Sequence, residues 1–426
     1  MNNKVSINLE YLKEQLYLII PMICICLMAF LVLIHENFNL YKGDFIIIYN
    51  SGKRLLENPE ELYHPQKGFY YFPSFAIALA LTVSLFPLSF AVYIFYINTI
   101  ILGILFVREY NKILILMKLD DKIQRFIFLL LVSNSFLVYY QFFNHNWKFI
   151  MGTIFLYVLR REMQWNHQKR NKDLKFYLCN YALLVFAVGV FPYFSLFLIL
   201  YVFHDIEIKD ILKRNNIQKY CIFIIVFAIE NFLIFIYPSY IIDISELFVR
   251  HNKTRNFFPL FYLRDFDSIS LDFMNMLILT STILLIIFIM IMSFSRNLKL
   301  VEKIAWVSFF CIFGSTFARR TLVFLFPLAI LLFVPFIDKG EKGINGIKKD
   351  KILLIGILSS FIFTFMFPSE TIFKYFPYFE NTIFGIFIFL RWIFLLSIFG
   401  GSILILNLRN NTSENNEINN LPIDYS

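Results

Sequence analysis

Stretch after stretch of this sequence is apolar on every side for roughly 17–25 residues, the length that crosses a hydrocarbon core of about 30 Å. A soluble core helix would interrupt such runs with a polar face at helical spacing, and most of these runs have none. Apolar residues make up 59% of the chain and charged residues 16%, whereas a water-soluble chain carries closer to about 25% charged. The solvent this sequence is written for is therefore a bilayer. Only structures that satisfy their own backbone hydrogen bonds cross one, and the runs have helix length. The expected fold class is all-α, a polytopic membrane bundle in a single transmembrane domain over 1–407, followed by a polar, disordered cytoplasmic tail at 408–426.

The candidate spans are 16–34, 69–87, 89–107, 123–141, 147–159, 176–190, 191–203, 219–241, 273–294, 304–317, 321–337, 352–367 and 382–406. Several are short, so some must be tilted, half-length or paired as hairpins. The net charge of +9 does not point to nucleic acid, because the basic residues sit in short loops between apolar runs. Those loops are Arg108 with 111–122, then 160–175, 204–219, 295–303 and 338–351, and an excess of Lys and Arg marks the cytoplasmic side.

All five fall on one side only if residues 69–107 make a single net crossing. The expectation is that 69–87, bounded by Pro73 and Pro87, dips into the outer leaflet and returns, while 89–107 crosses. That gives about twelve crossings of helix length, both termini in the cytoplasm, and two outer loops at 35–68 and 242–272. The first run, 16–34, reads as a retained helix, since no small-residue cleavage site follows it. The five cysteines all lie inside apolar runs without ligand spacing, and read as packing.

Polar groups gathered on one face of a membrane protein mark its working side. The outer face collects Asp44, the turn with Gln141, Asn144, His145 and Lys148, the loop with Arg250 and His251, and the pair Arg319–Arg320. His145 has no second His or carboxylate at ligand spacing, so no metal site is expected. Glu230 and Arg391 lie deep in apolar runs, where a charge calls for a partner, each other or a nearby polar group.

The first outer loop reads Tyr41-Lys-Gly-Asp44-Phe45, then Tyr49-Asn-Ser-Gly52, Leu62-Tyr63 and Tyr70-Tyr71-Phe72-Pro73. This resembles the opening signature of family-87 glycosyltransferases, the polyprenol-phosphate-mannose-dependent mannosyltransferases of the GT-C fold. Gln141-Phe-Phe-Asn144 resembles that family's Gln-x-x-Asn turn, and the hairpin around Pro192 its next segment, although Phe191 stands where the family often has Lys. The likeness covers roughly the first half of the chain. In the second half the family's His-containing turn is replaced by Arg319-Arg320.

The resemblance implies a GT-C bundle with a juxtamembrane helix after the first outer loop. It also implies a lipid-linked sugar donor (a polyprenyl phosphate) and a glycan or glycolipid acceptor at the outer face of the cell membrane. Transfer from a lipid phosphate needs a base for the acceptor hydroxyl but no strong acid, because phosphate already leaves well. Glycosidases need two carboxylates because their leaving group is a poor alkoxide. One carboxylate suffices, and Asp44 is the expected general base; otherwise it is a solvated loop carboxylate. Arg319 and Arg320 suit the leaving phosphate, or else snorkel to headgroups; Arg250, His251, Lys253, Arg255 and Arg264 form a second cationic set, with a solvated loop face as the plain alternative for each.

Gln141, Asn144, His145 and Lys148 suit sugar hydroxyls, with helix capping as the plain alternative for Asn144. Tyr70 and Tyr71 are candidates to stack on sugar. No Gly-rich phosphate loop appears, which fits a lipid-linked donor rather than a nucleotide sugar and calls for no cofactor. Two other readings stay open: a polysaccharide polymerase or ligase, and a lipid-linked sugar transporter or flippase.

Overall fold

The computed structural model describes residues 2–35, 44–63, 69, 71–120, 122–133, 138, 141–142, 148–168, 172–190, 194–204, 206–244, 271–295, 298–314 and 322–334. The chain divides into two compact units, Met1–Asp338 and Lys339–Ser426, and every described residue lies in the first. Among the described residues the regular structure is helical throughout. The expected spans at 352–367 and 382–406, Arg391 and the tail fall outside them.

Among the described residues two helices are long and apolar enough to cross a membrane: α1 (Asn2–His35), through its Leu16–Ile34 stretch, and α4 (Leu88–Leu116). Shorter apolar helices run over Leu174–Val190 and Ile283–Phe294. On α1 the apolar side chains turn outward, with Ile23, Leu27, Phe30 and Leu31 about half exposed. A soluble fold would bury such a face. One stripe of α1 is pressed onto α4: Tyr96 donates to the Ala29 carbonyl at 2.5 Å. Lower down, a Cβ added to Gly103 would meet Ile25 Cγ2 at 2.8 Å, a small residue letting two helices close up. The pairing of 29 with 96 and 25 with 103 makes α1 and α4 antiparallel.

Helix α5 (Lys122–Ser133) packs on both α1 and α4, and α6 (Lys148–His167) packs most extensively on α4. Thr153 donates to the Leu102 carbonyl at 3.1 Å, and Arg160 pairs with Glu109. Both partners advance by seven residues, so α4 and α6 run parallel and α5 is the return between them. Helix α7 (Leu174–Val190) packs on α6 and on α9 (Arg214–Glu230), while α8 (Ser195–Phe203) packs on α7, α11 (Leu271–Phe294) and α12 (Leu300–Gly314). Helix α13 (Leu322–Ile330) closes against α12 and α6, with Tyr110 of α4 donating to the Pro327 carbonyl at 2.9 Å. A short helix, α10 (Leu233–Ile236), follows α9.

The structure departs from the sequence expectation at two places. The first outer loop is not all loop: α2 (Asp44–Glu57) occupies its middle and a 3-10 turn, Pro59–Glu61, follows. The cause is an apolar stripe at helical spacing, with Phe45, Ile48 and Tyr49 each at most 3% exposed and Gly52 continuing it. The expected span 219–241 is likewise not one helix. It breaks after Glu230 at a turn, where Asn231 takes a non-helical φ of −114°, and Pro238 interrupts it again.

Residues 69–87 hold one eight-residue helix, α3 (Pro73–Ala80), and a 3-10 turn, Val83–Leu85. At 1.5 Å per residue α3 is about 12 Å long, against about 44 Å for α4.

Candidate functional site

Helix α2 is fastened by backbone-directed hydrogen bonds rather than by charge. Tyr49 donates its hydroxyl to the Phe86 carbonyl at 2.8 Å, and Ser84 donates to the Tyr49 carbonyl at 2.9 Å. Phe45 packs its ring on Phe95 of α4 at 4.8 Å between centroids. Gly52 lies so close to the α3 turn that an added Cβ would meet the Ala80 nitrogen at 2.9 Å and the Ser84 side chain; only glycine fits there. Asp44 is the first residue of this fixed helix, beside the buried Phe45.

The same end of the bundle gathers Tyr63, the start of α3 and Tyr240. Tyr63 donates to the Tyr71 carbonyl at 2.6 Å, and Tyr240 donates to the Pro59 carbonyl. The Phe72 nitrogen donates to the Gly189 carbonyl at 3.0 Å, tying the start of α3 to the end of α7. Burial pushes the Tyr63 phenol well above its ordinary pKa, with Tyr240 and Asp243 adding to the effect.

Gln141 and Lys148 come to this region through the rings next to them. Phe142 lies 5.6 Å from Tyr96 and 6.0 Å from Phe149. Phe45 and Phe142, the residues that follow Asp44 and Gln141 in the sequence, pack on Phe95 and Tyr96 of α4. Gln141 is fully buried, and among the described residues neither its Oε1 nor its Nε2 has a hydrogen-bond partner. Lys148 is buried at 4% exposure. Asn144, His145, Arg250, His251, Arg319 and Arg320 lie outside the described residues, as does Tyr70. Tyr71 is not available for stacking: it is 5% exposed, edge-on to both Phe69 and Phe75.

Arg54 was not singled out from the sequence. It sits on α2, donating from Nη2 to Ser51 Oγ at 2.8 Å and from Nε to the Asn50 carbonyl at 3.2 Å, while its Nη1 is buried without a partner. Burial pulls its pKa down and Glu61 opposes that. A guanidinium starts high enough to stay charged. Glu230, expected to be paired, has a buried Oε2 with no hydrogen bond among the described residues.

The opposite end carries a polar network that sequence reading also passed over. Glu162, 1% exposed, pairs with Lys172, lies 3.6 Å from His204 Nε2, and accepts from the Tyr201 hydroxyl at 2.9 Å. Asn180 donates to Tyr201 at 2.7 Å and accepts from Arg161 at 3.0 Å. Lys303 of α12 donates to the His204 and Ser293 carbonyls at 3.0 and 2.9 Å. Burial alone would raise the Glu162 pKa, but the nearby His204 ring and the Lys172 charge together hold it below the ordinary value. These groups join α6, α7, α8, α11 and α12. The one sequence signal was a glutamate within an otherwise basic loop.

No protein-family model, curated protein or solved structure matches the chain.

Proposed function

We propose that the chain is a multi-pass membrane glycosyltransferase of GT-C architecture, moving a hexose, mannose foremost, from a polyprenyl-phosphate donor to a glycan or glycolipid acceptor at the outer face. One observation carries the reading: α2, which begins at Asp44, is locked onto α3 and α4 at the end of the bundle where Gln141 keeps a buried amide without partners. A general base must be held still relative to its substrate, and a buried amide lacking partners is costly unless a ligand or water completes it.

The helix lengths support the membrane topology. At about 12 Å, α3 is too short to cross a core of about 30 Å, whereas α4 is long enough. Residues 69–107 then make one crossing, and the basic loops fall together on the cytoplasmic side. The parallel run of α4 and α6 is what that path requires. In this placement the α2 end faces outward and the Glu162 network faces the cytoplasm.

The chemistry follows from a single base. Asp44 accepts the proton of an acceptor hydroxyl as that oxygen bonds to the anomeric carbon. The bond from that carbon to the phosphate oxygen breaks, and polyprenyl phosphate departs with the electron pair. Direct attack inverts the anomeric configuration. Gln141, Asn144, His145 and Lys148 hold sugar hydroxyls. Arg319, Arg320, Arg250 and His251 answer the charge that gathers on the leaving phosphate, and Arg54 adds a cation on the helix of the base.

Purified protein incubated with radiolabelled polyprenyl-phosphate hexoses and glycolipid acceptors is expected to give a product of inverted configuration. Absence of transfer from every lipid-phosphate sugar would overturn the reading.

A further inference from the structure

Helix α9 ends at Glu230, and its backbone ladder lapses there. Asn231 N donates to the Phe227 carbonyl at 3.0 Å, but Ile234 N turns to the Asn231 carbonyl at 2.9 Å. The Glu230 carbonyl thereby loses the donor that a continuing helix gives it. The break lies at the α2 end of the bundle: the Phe227 ring, one turn before it, meets Phe72 beside the start of α3 at 6.0 Å between centroids.

The polar side chains at the break are left with acceptors only. Half-buried Glu230 has a buried Oε2, and Asn231, 1% exposed, a buried Oδ1, neither with a hydrogen-bond partner among the described residues. Asn231 Nδ2, the one side-chain donor of the pair, is spent on the Phe227 carbonyl at 3.2 Å. The C-terminal end of a helix adds negative potential of its own.

No described cation answers this. Tyr177 of α7 meets Lys219 of α9, and Tyr181 meets Phe223. The two helices therefore run parallel, with Lys175 and Lys219 at the far end and Glu230 level with Val188. Helices α3 and α10 carry no charge, and Asp243 beyond them is acidic. The charged residues of 246–267 lie outside the described residues.

A carboxylate in apolar surroundings calls for a cation, and buried acceptors call for N–H or O–H donors. A primary ammonium is both. A hard metal ion takes about six or more oxygens, and one carboxylate with one amide oxygen falls short. The flank is apolar and open, with Ile229 66% exposed, Phe232 47% and Phe235 69%. In the membrane placement above, Glu230 stands about 24 Å along α9 from Arg214, near the outer boundary of a core of about 30 Å. That is the level of a lipid headgroup.

We propose that the α9–α10 break is a binding site for the primary ammonium of an aminophospholipid headgroup. Glu230 meets it from the half-buried position with Asn231 behind, and the acyl chains lie along the apolar flank. The site rests on the membrane placement and not on the transferase chemistry.

The test incubates the detergent-purified chain with equimolar phosphatidylethanolamine and phosphatidylcholine of the same acyl chains, in potassium phosphate free of amines. The chain is recaptured and its lipid quantified by mass spectrometry; recovery from the membrane fraction checks the placement separately. The two lipids carry the same charges and differ in N–H donors. Retention of phosphatidylethanolamine by about tenfold over phosphatidylcholine is expected, falling to near parity for Glu230→Leu. Glu230→Gln, which keeps an acceptor without the charge, should lose most of the preference. Asp120→Asn, an exposed carboxylate at the far end, should change nothing. A wild-type ratio near one, or a preference that survives both Glu230 variants, overturns the site. Displacement of the lipid by millimolar ethanolamine or sodium would assign it to a soluble cation and overturn the lipid source.

Discussion

At Gln141 two amide atoms are buried without a hydrogen-bond partner among the described residues, and leaving such groups unmade costs about 1–3 kcal/mol each. A purely structural glutamine would be expected to find partners. If it serves a sugar, Gln141→Leu should leave the melting temperature in detergent unchanged or raised while transfer falls tenfold or more. A drop in melting temperature with transfer intact would assign it to packing. The sequence pointed to this residue through its turn and its likeness to a family motif, and burial adds the energetic reason. Tyr71 was misread for an instructive cause: aromatic type suits both sugar stacking and packing, and only its neighbours Phe69 and Phe75 decide. Arg54 was missed because nothing in its local sequence separates a solvated arginine from one with a buried Nη1.

Among the elements, the long apolar helices were the easiest to foresee, because hydropathy is a property of a run and survives an error in any one residue. Helix α2 was hidden by its polar stretch Asn50-Ser-Gly-Lys53, which reads as a turn, although Phe45, Ile48, Tyr49 and Gly52 already marked one helical face. The break at Asn231 was illegible for the opposite reason, since an apolar run carries no sign of where its backbone bonds lapse. The network at the end opposite α2 joins residues as distant as Glu162 and Lys303, and no spacing rule reaches that far. Its electrostatics are testable. The Glu162 pKa lies below the ordinary glutamate value of 4.5, so the stability it contributes is fully present above that value. It is lost as the pH falls through the lower folded value. Wild type should therefore lose thermal stability in that acid window, whereas Glu162→Gln should show no such step. The variant should also be less stable at pH 7, because the partly covered Lys172 loses its counter-charge. Matching acid profiles for the two proteins would contradict the assignment.

For the whole molecule, the all-helical class was legible from composition and run length. The order of the helices in space was not, beyond what loop charge implied. The parallel pairing of α4 and α6 rests on Thr153 with Leu102 and Arg160 with Glu109, contacts that only a folded chain reveals. Topology is checked by impermeant maleimide on a background lacking the five native cysteines. Glu60→Cys should label from outside, and Lys118→Cys only after the membrane is opened; outside labelling at both would overturn the single crossing of residues 69–107. The central claim is that α2 holds a catalytic base against a lipid-phosphate donor. Its most direct test is single-turnover transfer of a radiolabelled hexose from polyprenyl phosphate by wild type and Asp44→Asn in the same bilayer discs. The account predicts a rate loss of about 10²–10⁴-fold with unchanged donor binding and melting temperature. Transfer by Asp44→Asn within twofold of wild type would contradict it.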